Sequence, residues 1–328
     1  MAEPIHWGIM GTGSIAAAFA ADLALLPDAR LAAVGSRTQA GADAFAERFG
    51  IPHRHASYEA LAADPTVDVI YVATPHPQHH PNTLLCLEAG KAVLCEKPFA
   101  LNAAQAAGMI ALARARGLFL MDAMWTRFLP LFARLRELLA EEALGAVQML
   151  GADFGFRADF APHSRLFDPA LGGGALLDVG VYPVALASQV LGPPARIAAL
   201  AHIGKTGVDE GVGIVLGCEG GTLAVLSASL RADAAREAWI AGTHGRVLIR
   251  PAWWMGSHMT LIREGHSAEE IDLPPLGRGY THEAAEVMAC LRAGRTESPV
   301  MPLDETLAIM QTLDTVRAQI GLRYPGEA

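Results

Sequence analysis

The chain has 328 residues, long enough for two domains with sizeable cores. Its 34 acidic against 25 basic side chains give a formal charge of -9, which disfavours nucleic acid as the main partner because phosphate binding needs a basic face. The 52% of hydrophobic residues is spread out, no uninterrupted apolar run approaches a membrane span, and Met1-Ala2-Glu3-Pro4 lacks the basic region of a signal segment, so a cytoplasmic protein with no membrane partner is expected. Cys86, Cys95, Cys218 and Cys290 lie far apart without CxxC spacing, the pattern of buried free thiols in a reducing compartment.

Strand and helix alternate from the start. An apolar run over 5–10 leads into Gly11-Thr12-Gly13-Ser14-Ile15-Ala16 and an alanine-rich helix, the strand, tight turn and helix order that a dinucleotide pyrophosphate needs. Gly11 lets the chain turn, Gly13 lets the backbone approach phosphate, Ala16 lets the helix pack close, and the helix N-terminus offers N–H groups and a positive dipole end. A strand over 31–35 and a helix over 40–49, stopped by Gly50, follow. Ser57 caps a short helix, 67–73 is a β-branched strand, and Gly90 stops the next helix. After a strand over 92–95, Asn102 caps a helix to residue 116 and 118–121 forms a further strand. Parallel strands joined by helices make residues 1–122 an α/β domain with a doubly wound, Rossmann-type sheet.

Beyond residue 123 the rhythm changes. A helix over 128–140 precedes long adjacent strands at 147–156, 197–203, 211–218, 222–230, 237–241 and 246–249, and helices at 282–292 and 303–321 close the chain. Glu219-Gly220-Gly221 and Thr243-His244-Gly245 are hairpin signals, so residues 123–328 are expected to be an α+β domain: a large open, mainly antiparallel sheet with helices on one face.

The second strand ends Val34-Gly35-Ser36-Arg37-Thr38, without the carboxylate that usually accepts hydrogen bonds from an NAD ribose. Ser36 can donate a hydrogen bond and Arg37 can pair with a 2′-phosphate, so NADP is favoured over NAD. Glu96-Lys97-Pro98 ends the 92–95 run, where a sheet strand delivers side chains to the ligand-binding edge, and a lysine held there against Glu96 is placed to move a proton. His76, His79 and His80 lie close together, but without a carboxylate or cysteine at ligand spacing they are not expected to bind a metal; His79 is expected to hydrogen-bond at the cofactor end of the site. Gly172-Gly173-Gly174 permits close approach of a loop, and the helix after it carries Asp178 and Tyr182 at i and i+4, on one face. A phenol, with an ordinary pKa of about 10, needs a nearby cation to serve as a base at neutral pH, and Lys97 can supply it.

In its GxGxxA turn and its Glu96-Lys97-Pro98 the chain resembles the glucose-fructose oxidoreductase and inositol dehydrogenase (Gfo/Idh/MocA) family over nearly its full length. The resemblance implies that Lys97 lies beside the nicotinamide and the substrate hydroxyl, and that Thr74, Pro75, His76 and His79 run under the nicotinamide ribose. Many family members have Asp and His where this chain has Asp178 and Tyr182. The tyrosine, with Asp122-Ala123-Met124-Trp125-Thr126-Arg127, is similar to the branch of dimeric dihydrodiol dehydrogenases and NADP-dependent xylose dehydrogenases. That likeness implies a catalytic Lys97 and Tyr182 pair assisted by Asp178, with Trp125 and Arg127 beside the cofactor. It also implies a substrate wall of Trp125, Phe154, Trp254 and Tyr280, and a homodimer or higher even-numbered assembly.

The expected activity is hydride transfer between NADP and a cyclic polyol, an aldose or a trans-dihydrodiol. Two alternatives stay open: a sensor that binds NADP and sugar without turnover, and a reductase of a sugar-derived ketone such as anhydrofructose.

Overall fold

A computed structural model describes residues 3–327; Met1, Ala2 (the first half of the stretch read for a signal) and Ala328 lie outside it. The chain forms two compact units. The first comprises the chain up to Phe128 together with Leu276–Leu307, and the second Leu129–Pro275 with the chain from Ala308.

The first unit alternates as the sequence predicts, with one short strand, β3, that it did not: β1 (Ile5–Met10), α1 (Ser14–Leu23), β2 (Ala29–Gly35), α2 (Gln39–Phe49), β3 (His53–His55), α3 (Tyr58–Ala62), β4 (Val69–Val72), α4 (His79–Glu88), β5 (Ala92–Glu96), α5 (Ala103–Arg116) and β6 (Leu120–Ala123). All pairings are parallel, in the order β3-β2-β1-β4-β5-β6, so the order reverses between β1 and β4. Such a switch point opens a crevice at the carboxyl ends of the strands. Helix ends follow their side chains: Thr38, Ser57 and Asn102 accept from backbone N–H groups at the starts of α2, α3 and α5, and left-handed Gly50 and Gly117 close α2 and α5. Trp7, Phe19 and Tyr71 pack as one buried aromatic column between sheet and helix, Phe19 and Tyr71 stacked at 3.9 Å.

The second unit contains α6 (Pro130–Ala140), β7 (Val147–Gly155), α7 (Val181–Leu191), β8 (Arg196–Ile203), β9 (Asp209–Gly217), β10 (Leu223–Ser229), β11 (Ala238–Gly242), β12 (Gly245–Ile249), β13 (His258–Arg263) and β14 (Glu269–Asp272). Its eight-stranded sheet runs β14-β13-β12-β11-β7-β10-β9-β8. Both expected hairpins are present, β9 to β10 and β11 to β12. The one departure from antiparallel pairing is β7 with β10, which lie side by side in parallel because α7, β8 and β9 intervene in the chain. Alternate residues of β10 face a covered and an open side. Residues 169–191, interrupted by Asp178, are long and apolar enough in composition to cross a membrane, but 89% of their most apolar stretch is buried inside the protein, as for a core helix.

The expected division at residue 122 gives way to one in which α8 (Tyr280–Arg292) rejoins the first unit and α9 (Leu303–Ile320) passes from the first unit to the second. The cause is local. Buried Asp22, at the end of α1, accepts from the backbone N–H groups of Arg278 at 2.8 Å and Tyr280 at 3.0 Å, seating the start of α8 against α1. Beyond α8, Leu120 N–H donates to Thr296 O at 3.1 Å, so the returning chain covers the β6 edge. All four cysteines are buried free thiols.

Candidate active site

Because the strands of the first unit are parallel, the loops after β1, β2, β4 and β5 leave the sheet on one edge, and the expected cofactor residues collect there. Gly11 has φ +103°, and a Cβ on it would come 2.7 Å from Ala73 O, so only glycine fits. A Cβ on Gly13 would meet nothing within 4 Å: open space lies above the start of α1, whose first turn carries no side-chain cap. Thr12 and Ile15 flank it half-buried, with Gly13 and Ser14 exposed. This is a cradle with unclaimed N–H groups and room for a pyrophosphate.

After β2, Ser36 is buried, its N–H donating to His55 O at 3.0 Å, while Arg37 reaches solvent. Arg37 lines a cleft of about 720 Å³ with Ser57, Tyr58, Gln78 and Asn82. The carboxylates in that lining, Glu59 and Glu88, come from α3 and α4 and not from the end of β2. Burial raises the pKa of the Tyr58 phenol, and the Arg37 charge opposes that rise.

After β4, Thr74 is buried and accepts from Asn82 Nδ2 at 3.0 Å, Pro75 is exposed and His76 half-buried. His79 departs from expectation. It is 1% exposed, with Nδ1 2.8 Å from Pro98 O and Nε2 2.8 Å from Thr74 O, so its ring joins two loops of the edge instead of reaching towards a ligand. Burial lowers its pKa to about 4. His76 meets its ring edge-on at 5.7 Å.

Lys97 follows β5 half-buried, and Glu96 beneath it is fixed from two sides: Tyr71 OH donates to Oε1, and Lys97 N–H donates to Oε2 at 3.1 Å. Two further buried carboxyl groups lie near, and the sequence reading missed both. Burial, then the Glu96 charge, raises Asp122 to about 7 against the pull of Arg127 and Lys97. Burial, then Glu96 and Asp122, pushes Glu283 well above the carboxylate range. Neither Glu283 oxygen, nor Asp122 Oδ1, has a hydrogen-bond partner. A carboxylate at the end of the all-buried strand β6 was the signal available in the sequence.

Trp125 packs against Tyr280 at 4.9 Å between ring centres, within the first unit. Arg127, expected beside the cofactor, is buried and grips Glu305 with both terminal nitrogens, at 2.7 and 2.8 Å, which ties residues 125–128 to the start of α9.

In the second unit Phe154 stacks on Trp254 at 3.3 Å and 13°, with Tyr182 at 5.5 Å, so three of the expected site residues form one aromatic group. Asp178 is buried and accepts from Arg165 Nη1 at 2.6 Å, a partner the sequence did not suggest. The turn over Leu176–Gly180 is π-helical before α7 begins, so the straight i and i+4 relation of Asp178 and Tyr182 is interrupted by an extra residue in the turn. The start of the turn is held by Asp209, whose Oδ2 accepts from Leu176 N–H at 2.7 Å, and the glycine loop before it by Tyr324, whose OH donates to Gly173 O at 2.7 Å.

Comparison with known proteins agrees with both units. Residues 5–123 match the model of the Gfo/Idh/MocA oxidoreductase family's NAD-binding Rossmann fold, and residues 132–248 match a C-terminal domain of the same family. The chain is 40% identical to the trans-1,2-dihydrobenzene-1,2-diol dehydrogenases of Mus musculus and Homo sapiens, covering 98% of each chain. Among solved structures it is similar to the aldose-aldose oxidoreductase of Caulobacter crescentus complexed with glycerol, at 27% identity and TM-score 0.89 over 97% of both chains. It is also similar to KijD10, a 3-ketoreductase of Actinomadura kijaniata, in a tyrosine-to-phenylalanine variant bound to TDP-benzene and NADP, at 27% identity and TM-score 0.86 over 97% and 98%.

Asp122 gives a pH prediction. In the unfolded chain its proton leaves near the ordinary 3.8, while the folded protein holds it to about 7. The folded state therefore loses relative stability as pH rises through that window. Asp122→Asn keeps the group neutral at every pH, so thermal denaturation should show a smaller fall in Tm from about pH 5 to pH 8 in the variant than in the parent. Equal falls would contradict the assignment.

Proposed function

The chain belongs to the Gfo/Idh/MocA oxidoreductase family, and on that premise we propose that it is an NADP-dependent dehydrogenase of hydroxyl groups on a cyclic polyol, an aldose or a trans-dihydrodiol. The observation that carries this reading is Lys97, held by its backbone to a fixed Glu96 on the same sheet edge as the Gly11 to Ser14 cradle, in a chain 40% identical over its length to named diol dehydrogenases. The bound dinucleotide supplies the hydride acceptor. The chain's part is to take the hydroxyl proton as hydride leaves the same carbon. In this proposal Tyr182 accepts that proton, the Lys97 ammonium favours the phenolate, and Asp178 orients Lys97 or a second hydroxyl. Gly11, Thr12, Gly13, Ser14 and Ile15 would hold the pyrophosphate, Ser36 and Arg37 the 2′-phosphate, and Thr74, Pro75 and His76 the nicotinamide ribose, with His79 holding those loops. Trp125, Phe154, Trp254 and Tyr280 would present apolar faces to the ring carbons of the substrate. A cytoplasmic setting suits four free thiols.

The reductive direction is a second reading, favoured by the likeness to a 3-ketoreductase. The same residues then return the proton. A sensor is disfavoured by the presence of Lys97, Asp178 and Tyr182 together.

The cofactor assignment predicts tighter binding of NADP than of NAD. Arg37→Ala should cost about 1.5–3 kcal/mol of NADP affinity and little of NAD. Titration calorimetry with both cofactors measures this; equal affinities in the unaltered protein would contradict it.

The proton assignment predicts that Tyr182→Phe lowers turnover about 100-fold or more with NADP binding nearly unchanged. Lys97→Met should do the same, and the double variant should be little worse than either, because residues acting as a unit are not additive. Near-normal turnover in Tyr182→Phe alone would assign the proton to lysine. NADP binding without turnover of any aldose, polyol or dihydrodiol by the unaltered protein would favour the sensor.

We propose further that the open face of the eight-stranded sheet is covered by a second copy. Val215, Leu223, Val225 and Leu248 lie 42%, 41%, 44% and 38% exposed there, an apolar patch of the kind that dimers bury. Light scattering at micromolar concentration should show a dimer or a higher even-numbered assembly, and a monomer alone would contradict this.

A further inference from the structure

Three metal-ligating side chains, none of them given a role above, converge at the β3 edge of the first unit. His53 and His55 are two apart on β3, so the strand's alternation turns both rings to one side, while Arg54 between them turns to the other and pairs with Asp43 and Glu47. Asp64, at the end of the turn after α3, is buried and points one carboxylate oxygen at both rings. Its Oδ2 is 2.8 Å from His53 Nδ1 and 2.8 Å from His55 Nε2, and the three donor atoms all lie within 4.8 Å of one another.

The other carboxylate oxygen is occupied. Asp64 Oδ1 accepts from Thr66 N–H at 2.9 Å and Thr66 Oγ1 at 2.7 Å, which fixes the plane of the carboxylate and leaves Oδ2 facing the rings. Ordered outer partners of this kind orient a ligating carboxylate. The neighbouring cation, Lys91, donates instead to the backbone oxygens of Asp64 and Val67, at 2.6 and 2.8 Å. His53 is 44% and His55 23% exposed, so the rings have an open side for entering ions and bound water.

We propose that His53, His55 and Asp64 form a binding site for one divalent transition-metal ion of the Zn²⁺ type, completed by water. Two imidazoles and a carboxylate suit such an ion and not Mg²⁺ or Ca²⁺, which take oxygen ligands. Tetrahedral ligands with bonds of about 2.0–2.1 Å lie about 3.3 Å apart, so to take the ion the rings move off their 2.8 Å contacts with Oδ2, and the three donor atoms, now within 4.8 Å of one another, draw together around it. On binding, each imidazole presents a lone pair to the ion where it now presents an N–H to Asp64, its proton moving to the outer ring nitrogen. The ion would pin a three-residue edge strand to the turn before β4. His55 is also the residue whose carbonyl accepts from Ser36 N–H, so the site lies one hydrogen bond from the Ser36–Arg37 loop.

The test uses the untagged full chain, stripped with chelator and titrated with ZnCl₂ by calorimetry, with bound zinc counted by mass spectrometry after dialysis. One zinc per chain with a Kd of about 10 µM or tighter, and a higher Tm with zinc than without, is expected. The double variant His53→Ala, His55→Ala should bind at least about 30-fold more weakly and lose the Tm rise, while His266→Ala, an exposed histidine elsewhere, should bind as the parent does. These two substitutions are on partly exposed rings, and far-ultraviolet circular dichroism checks that the variant is folded. Substoichiometric zinc in the parent, or equal binding in parent and double variant, would overturn the proposal.

Discussion

The carboxylate of Glu96 is the constraint on which the site in the first unit rests. It is 4% exposed at the carboxyl end of a buried strand, and it is kept in place by the Tyr71 hydroxyl and by the backbone N–H of Lys97. A buried carboxylate is costly unless its oxygens are satisfied, and here each oxygen has a donor. One of those donors is the backbone of the proposed catalytic lysine, so satisfying Glu96 also fixes where the Lys97 side chain begins. The other donor draws in the core: Tyr71 stacks on Phe19, and Phe19 packs on Trp7, so the geometry of the loop after β5 is set by the packing of α1 on the sheet.

The same charge explains the unusual chemistry below it. With Glu96 charged, a second and third carboxylate in the same apolar surroundings are held towards their neutral forms, and Asp122 and Glu283 respond in that direction. Glu283 has no donor at all, which a neutral carboxylic acid tolerates far better than an ion. Both shifts lessen the negative charge gathered around Lys97 and Arg127. Arg127 takes its own counter-charge from Glu305, so its positive charge is matched within the same unit.

Much of this was legible in the sequence, and what was not has identifiable causes. Most of the first unit could be read because its elements carry their own stops and starts: Gly50 ends a helix, Ser57 and Asn102 begin helices, and β-branched runs lie between. β3 escaped because three polar residues, His53, Arg54 and His55, have no hydrophobic pattern to show; their pairing with β2 comes from backbone hydrogen bonds at a sheet edge. β14 was missed for a similar reason, since it is all polar but for Ile271; β13, with buried Met259 and Leu261, did carry an apolar signal that the reading passed over. The parallel pairing of β7 with β10 is a property of topology, and no local signal encodes it. His79 was visible as a candidate, but its two carbonyl partners, Thr74 O and Pro98 O, belong to loops brought together only by folding. The return of α8 to the first unit depended on one buried residue, Asp22, more than 250 positions away in sequence.

In the second unit the glycine loop shows how far from its sequence neighbours a site residue can take its support. Gly174 has φ +120°, and a side chain there would collide with Asp209. Asp209 needs that closeness, because its Oδ2 accepts the Leu176 N–H that opens the π-helical turn carrying Asp178. Burial raises Asp209 to about 7, against the opposing pull of that hydrogen bond and of Arg317. Tyr324 closes the arrangement from the end of the chain: its hydroxyl donates to Gly173 O, Arg317 lies over its ring at 4.7 Å, and Glu327 pairs with Arg317. The π-helical turn is thus held by β9 and by residues 317–327, and those elements, more than the local helix propensity, set the position of Asp178.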